Sequence, residues 1–178
     1  MVQICKARRD DAQGIAQVHV ASWRSTYHGI MPAEFLAGLS VERRAQYWLE
    51  TLAAGVELIY VAEDIALGGP RILGFASGGA QRDTEIPSYD GELYAVYMLQ
   101  EYQGQGVGQR LARTVAERLA QIGFKAMLVW VLADNPSRRF YERLGGQFVR
   151  EKQIDIAGIS LSEVAYGWPD IHTLLEMQ

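Results

Sequence analysis

Three glycines at alternate positions, Gly104, Gly106 and Gly108, stand in the run Gln103-Gly104-Gln105-Gly106-Val107-Gly108, followed by Gln109-Arg110. The residues before them, Glu92 to Leu99, are apolar and aromatic and read as a strand. After them, Val107, Leu111, Val115, Leu119 and Ile122 recur every three or four residues, the pattern of an amphipathic helix. A strand, a glycine turn and a helix start together make an anion site. Glycine lets the backbone approach a ligand closely. The first helical turn offers unpaired N–H groups at the positive end of its dipole, which suits a pyrophosphate. Two common phosphate motifs do not fit. A P-loop needs Gly-Lys-Ser/Thr at the helix start, where this chain has Gly108-Gln109-Arg110. A dinucleotide fingerprint begun at Gly104 meets Gln109 where its third glycine belongs. The acidic residue expected roughly 20 positions on is also missing, because Phe124 to Trp130 carries none. Alone, the run also fits a surface turn that opens a helix.

The elements that must position this turn follow in order. Val2 to Ala7 alternates as a short strand, with Cys5 read as a core residue. Asp10 or Asp11 caps a helix whose apolar face is Ala12, Ile15, Ala16 and Val18. That helix runs out into an aromatic, glycine- and proline-broken loop, Trp23 to Pro32, which fits a binding wall and a plug over the core equally. His28 within it reads as a surface histidine. Ser40 caps a second helix with Val41, Ala45, Trp48 and Leu52 on one face. Glu57–Glu63 and Arg71–Ser77 read as antiparallel strands joined through Gly68-Gly69-Pro70. A net acidic loop, Gln81 to Gly91, precedes the central strand. Beyond the glycine turn, Lys125–Leu132 reads as a buried strand, and Asn135 and Pro136 open a helix that ends at Gly145-Gly146. Two closing strands, Gln147–Ile154 and Ser160–Gly167, flank a turn at Ala157-Gly158. The tail after Trp168 carries a last short helical segment.

Composition bounds the function classes. The 178 residues, 49% hydrophobic and 21% charged, suit one domain, 1–178, with a single good core. A net charge of −4 gives no nucleic-acid footprint. The single cysteine excludes an internal disulfide and fits a reducing compartment. The N-terminus lacks the apolar core of a signal peptide, and no apolar run approaches a membrane span. A cytoplasmic protein is therefore expected, without nucleic-acid or membrane partners.

The run Gln103, Gly106, Gly108 resembles the acyl-CoA signature of the GNAT (GCN5-related) N-acetyltransferases, Gln/Arg-x-x-Gly-x-Gly/Ala. A second constellation agrees with it. Val129-Trp130-Val131 leading to Asn135, then Phe140-Tyr141-Glu142-Arg143-Leu144-Gly145, closely resembles the family's strand, asparagine and aromatic–tyrosine pair ending in Leu-Gly. The resemblance spans Val2 to Trp168. It departs at Gln100, where many relatives have proline, and at Gly146, where an aromatic is common. It implies an α+β, three-layer fold. The sheet would be mixed and mostly antiparallel, with about six to seven strands and about four flanking helices.

The resemblance also implies a chemistry, acetyl transfer from acetyl-CoA to a primary amine of a small molecule. The amine would attack directly within a ternary complex, with acetyl-CoA as cosubstrate and no metal. The amides of Gln103, Gly104, Gln105, Gly106, Val107, Gly108 and Gln109 would cradle the pyrophosphate. Pantetheine would lie along Tyr97, Met98 and Leu99, with the N–H of Met98 or Leu99 near the thioester oxygen and Asn135 on a pantetheine amide. Tyr141 would protonate the leaving thiolate. Glu92, 11 residues before Gln103 as in the histone acetyltransferase branch, would orient or deprotonate the amine, a task ordered water can also perform. Peptide amine acetylation, and an acyl-CoA-binding module without catalysis, are the alternatives. A homodimer is expected, with Tyr166 and Trp168 exposed at its interface.

Overall fold

The computed structural model describes residues 1–65, 71–83 and 85–176. The expected turn at Gly68-Gly69-Pro70 lies outside the described residues. Among the described residues, seven strands form one sheet: β1 (Val2–Lys6), β2 (Leu58–Asp64), β3 (Arg71–Ala80), β4 (Gly91–Met98), β5 (Met127–Leu132), β6 (Gln147–Ile156) and β7 (Ile159–Trp168). Their order is β1-β2-β3-β4-β5-β7-β6, and only β4 and β5 run parallel. The helices are α1 (Ala12–Thr26), α2 (Ala33–Ala37), α3 (Val41–Ala54), α4 (Val107–Gln121), α5 (Arg138–Arg143) and α6 (His172–Glu176). The fold is α+β and mostly antiparallel, as expected, with more helices than the sequence pattern indicated.

Side chains alternate across the strands and so build two cores. Ile59, Val61 and Phe75 pack with Ile15, Ala16 and Val18 of α1 and Trp48 of α3. Ala62, Ala76 and Leu93 pack with Leu111, Val115 and Leu119 of α4. Both helical layers form because each helix has one apolar stripe. In α4 the buried set Val107, Leu111, Ala112, Val115, Ala116 and Leu119 follows the helical repeat. Ile122, which extends that pattern in the sequence, lies past the helix end and is 49% exposed.

The sheet is interrupted at its centre. Pairing of β3 with β4 jumps from Ser77↔Ala95 to Gly78↔Leu93, leaving Tyr94 as an extra residue. Such a bulge bends and twists its strand. On the other side, β4 meets β5 only at Gly91↔Met127 and Glu92↔Leu128. Beyond Glu92 the two strands part, and their facing edges go without ladder partners.

Three expectations are corrected by the packing. Trp23 to Thr26 belong to α1 rather than to a loop. The helix after Asn135 begins at Arg138, with Ser137 at its N-cap. Tyr166 and Trp168 are buried at 3% and 1% exposure, not presented for a dimer. The Trp168 indole donates to the Leu144 carbonyl at 2.7 Å, and the Tyr166 hydroxyl donates to Glu142 at 2.7 Å. β7 pairs with β5 and β6 along its two edges, and every residue from Val164 to Trp168 is buried, so both faces of its C-terminal half are covered as well. Among the described residues, no helix is long and apolar enough to cross a membrane.

Candidate active site

The parting of β4 and β5 opens a cavity of about 680 Å³. β4 contributes Tyr94 to Met98, β5 contributes Trp130 to Leu132, and the glycine turn and α5 close one end. Trp23 and Tyr27 of the α1 end form part of the opposite wall.

At the turn, Gly104 and Gly106 have φ of +74° and +77°. Side chains other than glycine rarely adopt this left-handed conformation, so it accounts for both glycines. Gly106 is the N-cap of α4, and the first helical bond runs from Arg110 N–H to the Gly106 carbonyl at 3.1 Å. The amides of Gly106, Val107, Gly108 and Gln109 therefore have no partner within the helix. Gly108 lies inside the first turn with an ordinary backbone. A Cβ there would stand 3.7 Å from Met98 and Phe140, in normal contact, and anything longer would enter the cavity.

The edge of β4 supplies a second set of free groups. Leu99 N–H donates to the Leu73 carbonyl of β3 at 2.8 Å. In an antiparallel ladder the amides alternate in direction, so those of Val96 and Met98 turn away from β3 toward the gap. Leu99 N–H is thus spent, and Met98 N–H is the one left to face a ligand oxygen. The Met98 carbonyl accepts from the Ser22 hydroxyl at 2.9 Å and from the Gln103 amide at 3.3 Å, which ties α1 and the turn to the strand end.

Tyr141 lines the cavity from α5 and is 7% exposed. Burial, and secondarily Tyr97, pushes its hydroxyl well above the ordinary phenol value, so it stays protonated. Gly146 packs beneath this helix. A Cβ there would lie 2.9 Å from the Tyr141 carbonyl and 3.1 Å from the Trp168 ring, which leaves no room for the aromatic common in relatives. Asn135 is buried. Its Oδ1 accepts from Ser137 N–H at 2.8 Å, and its Nδ2 donates to the Tyr27 hydroxyl at 3.4 Å. It fastens the α5 turn to α1 from two residues before the cap.

Of the residues expected in the site, Tyr97, Met98, Gln103, Gly104, Gly106, Gly108, Gln109, Asn135 and Tyr141 line the cavity. Leu99, Gln105 and Val107 do not. Leu99 packs against the α1–α3 core, Val107 is buried on the core face of α4, and the Gln105 amide donates to the Glu101 carbonyl at 3.1 Å. Glu92 is also absent from the wall. It is 2% exposed and accepts three hydrogen bonds from Arg82: from the backbone N–H at 2.9 Å, Nε at 3.2 Å and Nη2 at 2.5 Å. It stands where β4 still pairs with β5, held by Arg82 and outside the cavity lining. Trp23, Tyr27, Tyr94, Trp130 and Glu163 line the cavity in addition to the residues expected there. The aromatic cluster after Val20 was the signal for Trp23 and Tyr27. Nothing in the sequence marked Glu163.

Comparison with known proteins bears on the fold and the family. Residues 73–154 match the family model described as FR47-like protein. The chain is 43% identical over 174 residues to YuaI, an uncharacterized N-acetyltransferase of Bacillus subtilis, covering 98% of this chain and 96% of that one. Among solved structures, a GCN5-related N-acetyltransferase of Rhodopseudomonas palustris superposes with a TM-score of 0.71 at 19% identity, covering 93% of both chains. YncA of Salmonella typhimurium, solved with acetyl-CoA, superposes with a TM-score of 0.68 at 18% identity over 94% of this chain and 93% of its own. The chain belongs to the GCN5-related N-acetyltransferase (GNAT) family of acetyltransferases.

Proposed function

We propose that the protein moves the acetyl group of acetyl-CoA to a primary amine of a small molecule, by direct attack with both substrates bound. The observation that carries this is the parting of β4 and β5 in front of the glycine-led start of α4, with Tyr141 on the wall between them. The fit to acetyl-CoA rests on donors without partners. The free amides of Gly106 to Gln109 suit the pyrophosphate. The unpaired edge at Val96 and Met98 suits the pantetheine amides, which would add to β4 as a strand does. Arg143 on the same wall suits a phosphate.

Each residue then has a task. Met98 N–H donates to the carbonyl oxygen as charge develops there. The amine nitrogen bonds to the acetyl carbon, the carbon–sulfur bond breaks, and Tyr141 gives its proton to the departing sulfur. The amine first gives its ammonium proton to solvent, and the proton its nitrogen sheds after bonding to carbon replaces the one Tyr141 gave, so the products are an amide, a thiol and one released proton. Burial raises the proton affinity of phenol and thiolate alike, so the transfer between them is less uphill than the Tyr141 hydroxyl alone would indicate.

A small acceptor is favoured over a peptide by the closure of the acceptor end. Tyr27, Met31 and Leu36 pack with Leu132 and with Ile154, Ile156, Ile159 and Leu161 of the β6–β7 hairpin. This contact packs the α1 end against the hairpin and so supports a short acceptor over an extended one. The test is thiol release from acetyl-CoA in the presence of a panel of small amines and of N-terminal peptides. Amine-dependent release with the small molecules is expected. Release only with peptides, or no release with any amine, contradicts the proposal.

A further inference from the structure

With Glu92 held by Arg82, the cavity wall carries one carboxylate among the described residues, Glu163 of β7. Building on the acetyl-transfer reading, we propose that Glu163 receives the acceptor amine as its ammonium ion. We further propose that the acceptors are primary amines borne on an apolar or aromatic body.

Register fixes where this carboxylate stands. β7 runs between β5 and β6, with Glu163 opposite Leu132 on one side and Lys152 on the other. Trp130, Leu132 and Ile156 line the cavity with it, and Tyr94 lines it from β4. That lining is apolar and aromatic, and it surrounds a single negative charge. An ammonium on an apolar body fits such a site, whereas a polycation would leave its further charges unpaired.

The charged groups facing Glu163 are Lys152 on β6, Glu92 on β4, and Arg82 and Asp83 on the loop before β4. Both cations are committed elsewhere. Lys152 bonds to Asp83 at 2.9 Å and sits 3.7 Å from the centre of the Trp130 ring. Arg82 bonds to Glu92 at 2.5 Å. Among the described residues Glu163 itself makes no hydrogen bond or ion pair. A half-buried carboxylate without a partner is costly unless a ligand supplies one. Burial holds its proton affinity above the usual carboxylate range, against the opposing pull of Lys152. Tyr97 and Tyr141 line the same cavity as Glu163, so an amine held there shares the space of the reacting groups.

The test uses two probes of one shape, 2-phenylethylamine, a cation at pH 7, and 2-phenylethanol, which is neutral. Both are titrated calorimetrically into the wild-type protein saturated with CoA. The amine should bind at least about tenfold more tightly, as expected for a partly buried charge-assisted hydrogen bond. Glu163→Gln should bring the two affinities together, and Glu163→Asp should keep the preference. CoA affinity should be the same in all three proteins. Equal affinities in the wild type, no amine binding below about 10 mM, or a preference that survives Glu163→Gln overturns the proposal. Should the wild type fail to bind CoA, the acetyl-transfer reading falls. The same titration of the ligand-free protein then decides the Glu163 assignment by the same outcomes.

Discussion

Arg82 closes on Glu92 from both its backbone and its guanidinium, with Nη2 at 2.5 Å from Oε1. The carboxylate is buried while the arginine side chain is 60% exposed. The pair therefore anchors the loop before β4 to the point where β4 and β5 still touch. It sits at the apex of the gap and outside the cavity.

This placement separates a structural from a catalytic role. Glu92→Gln should lower acetyl transfer by less than about threefold, where loss of a working base would cost on the order of 10²-fold. Arg82→Ala should destabilise more, by about 2 kcal/mol, because it strands a buried carboxylate. Water at the exposed arginine end keeps the figure below that of a fully buried pair. Turnover measurements and urea melts on the two variants check both statements.

The same residues show what was legible before folding. Gly104 and Gly106 stand where the backbone turns left-handed, and Tyr141 follows Asn135 by six residues on the next short helix, so local sequence reveals both. Glu92 carries the right residue type at the right spacing, yet its partner Arg82 lies in the net acidic loop Gln81 to Gly91, whose sequence does not show which residue turns back onto β4. Glu163 ends a run, Ser160 to Glu163, that is polar at three of four positions, and nothing in that run marks one residue as facing a cavity. Only the pairing of β7 with β5, some thirty residues earlier, brings it to the gap. Contacts set by strand order rather than by spacing are the ones that stay hidden.

His19 is the next test. Its Nδ1 accepts from the Trp48 indole at 3.2 Å, and its ring stacks on Tyr97 with 5.0 Å between centroids. Burial, with a smaller contribution from Arg44, pulls the imidazole down to about 3 from its ordinary 6.5. The folded value lies below the unfolded one, so the unfolded chain binds a proton that the folded chain refuses. The contribution of neutral His19 to stability is full above pH 6.5 and declines as pH falls toward 3. Between pH 6.5 and 4.5 the wild type should lose about 2 kcal/mol more than His19→Gln in paired urea melts. Equal losses would mean that the imidazole is solvated.

Tyr141→Phe removes one hydroxyl and keeps the ring against Phe140 and the core. Acetyl-CoA affinity should hold while turnover falls on the order of 10²-fold. The deficit should shrink for an acyl donor whose leaving thiol has a low pKa, because that sulfur needs less help from a proton. Steady-state rates with both donors decide this. Near-full turnover with acetyl-CoA would assign the proton to solvent and leave Tyr141 as a packing residue.

The central claim is that acetyl-CoA occupies the gap between β4 and β5 at the start of α4. Gly108 gives the cleanest access to it, because its backbone is ordinary and a Cβ there meets only normal contacts. Substitutions at Gly106 would add backbone strain from its φ of +77°. Calorimetric titration of acetyl-CoA into the wild type and Gly108→Leu is therefore the most direct measurement. The account predicts one site per chain in the wild type and at least about a tenfold weaker affinity in Gly108→Leu, whose leucine would fill the pyrophosphate's place. It also predicts that the melting temperature without ligand stays close to that of the wild type. Absence of binding to the wild type, or equal affinity in the two proteins, would contradict it.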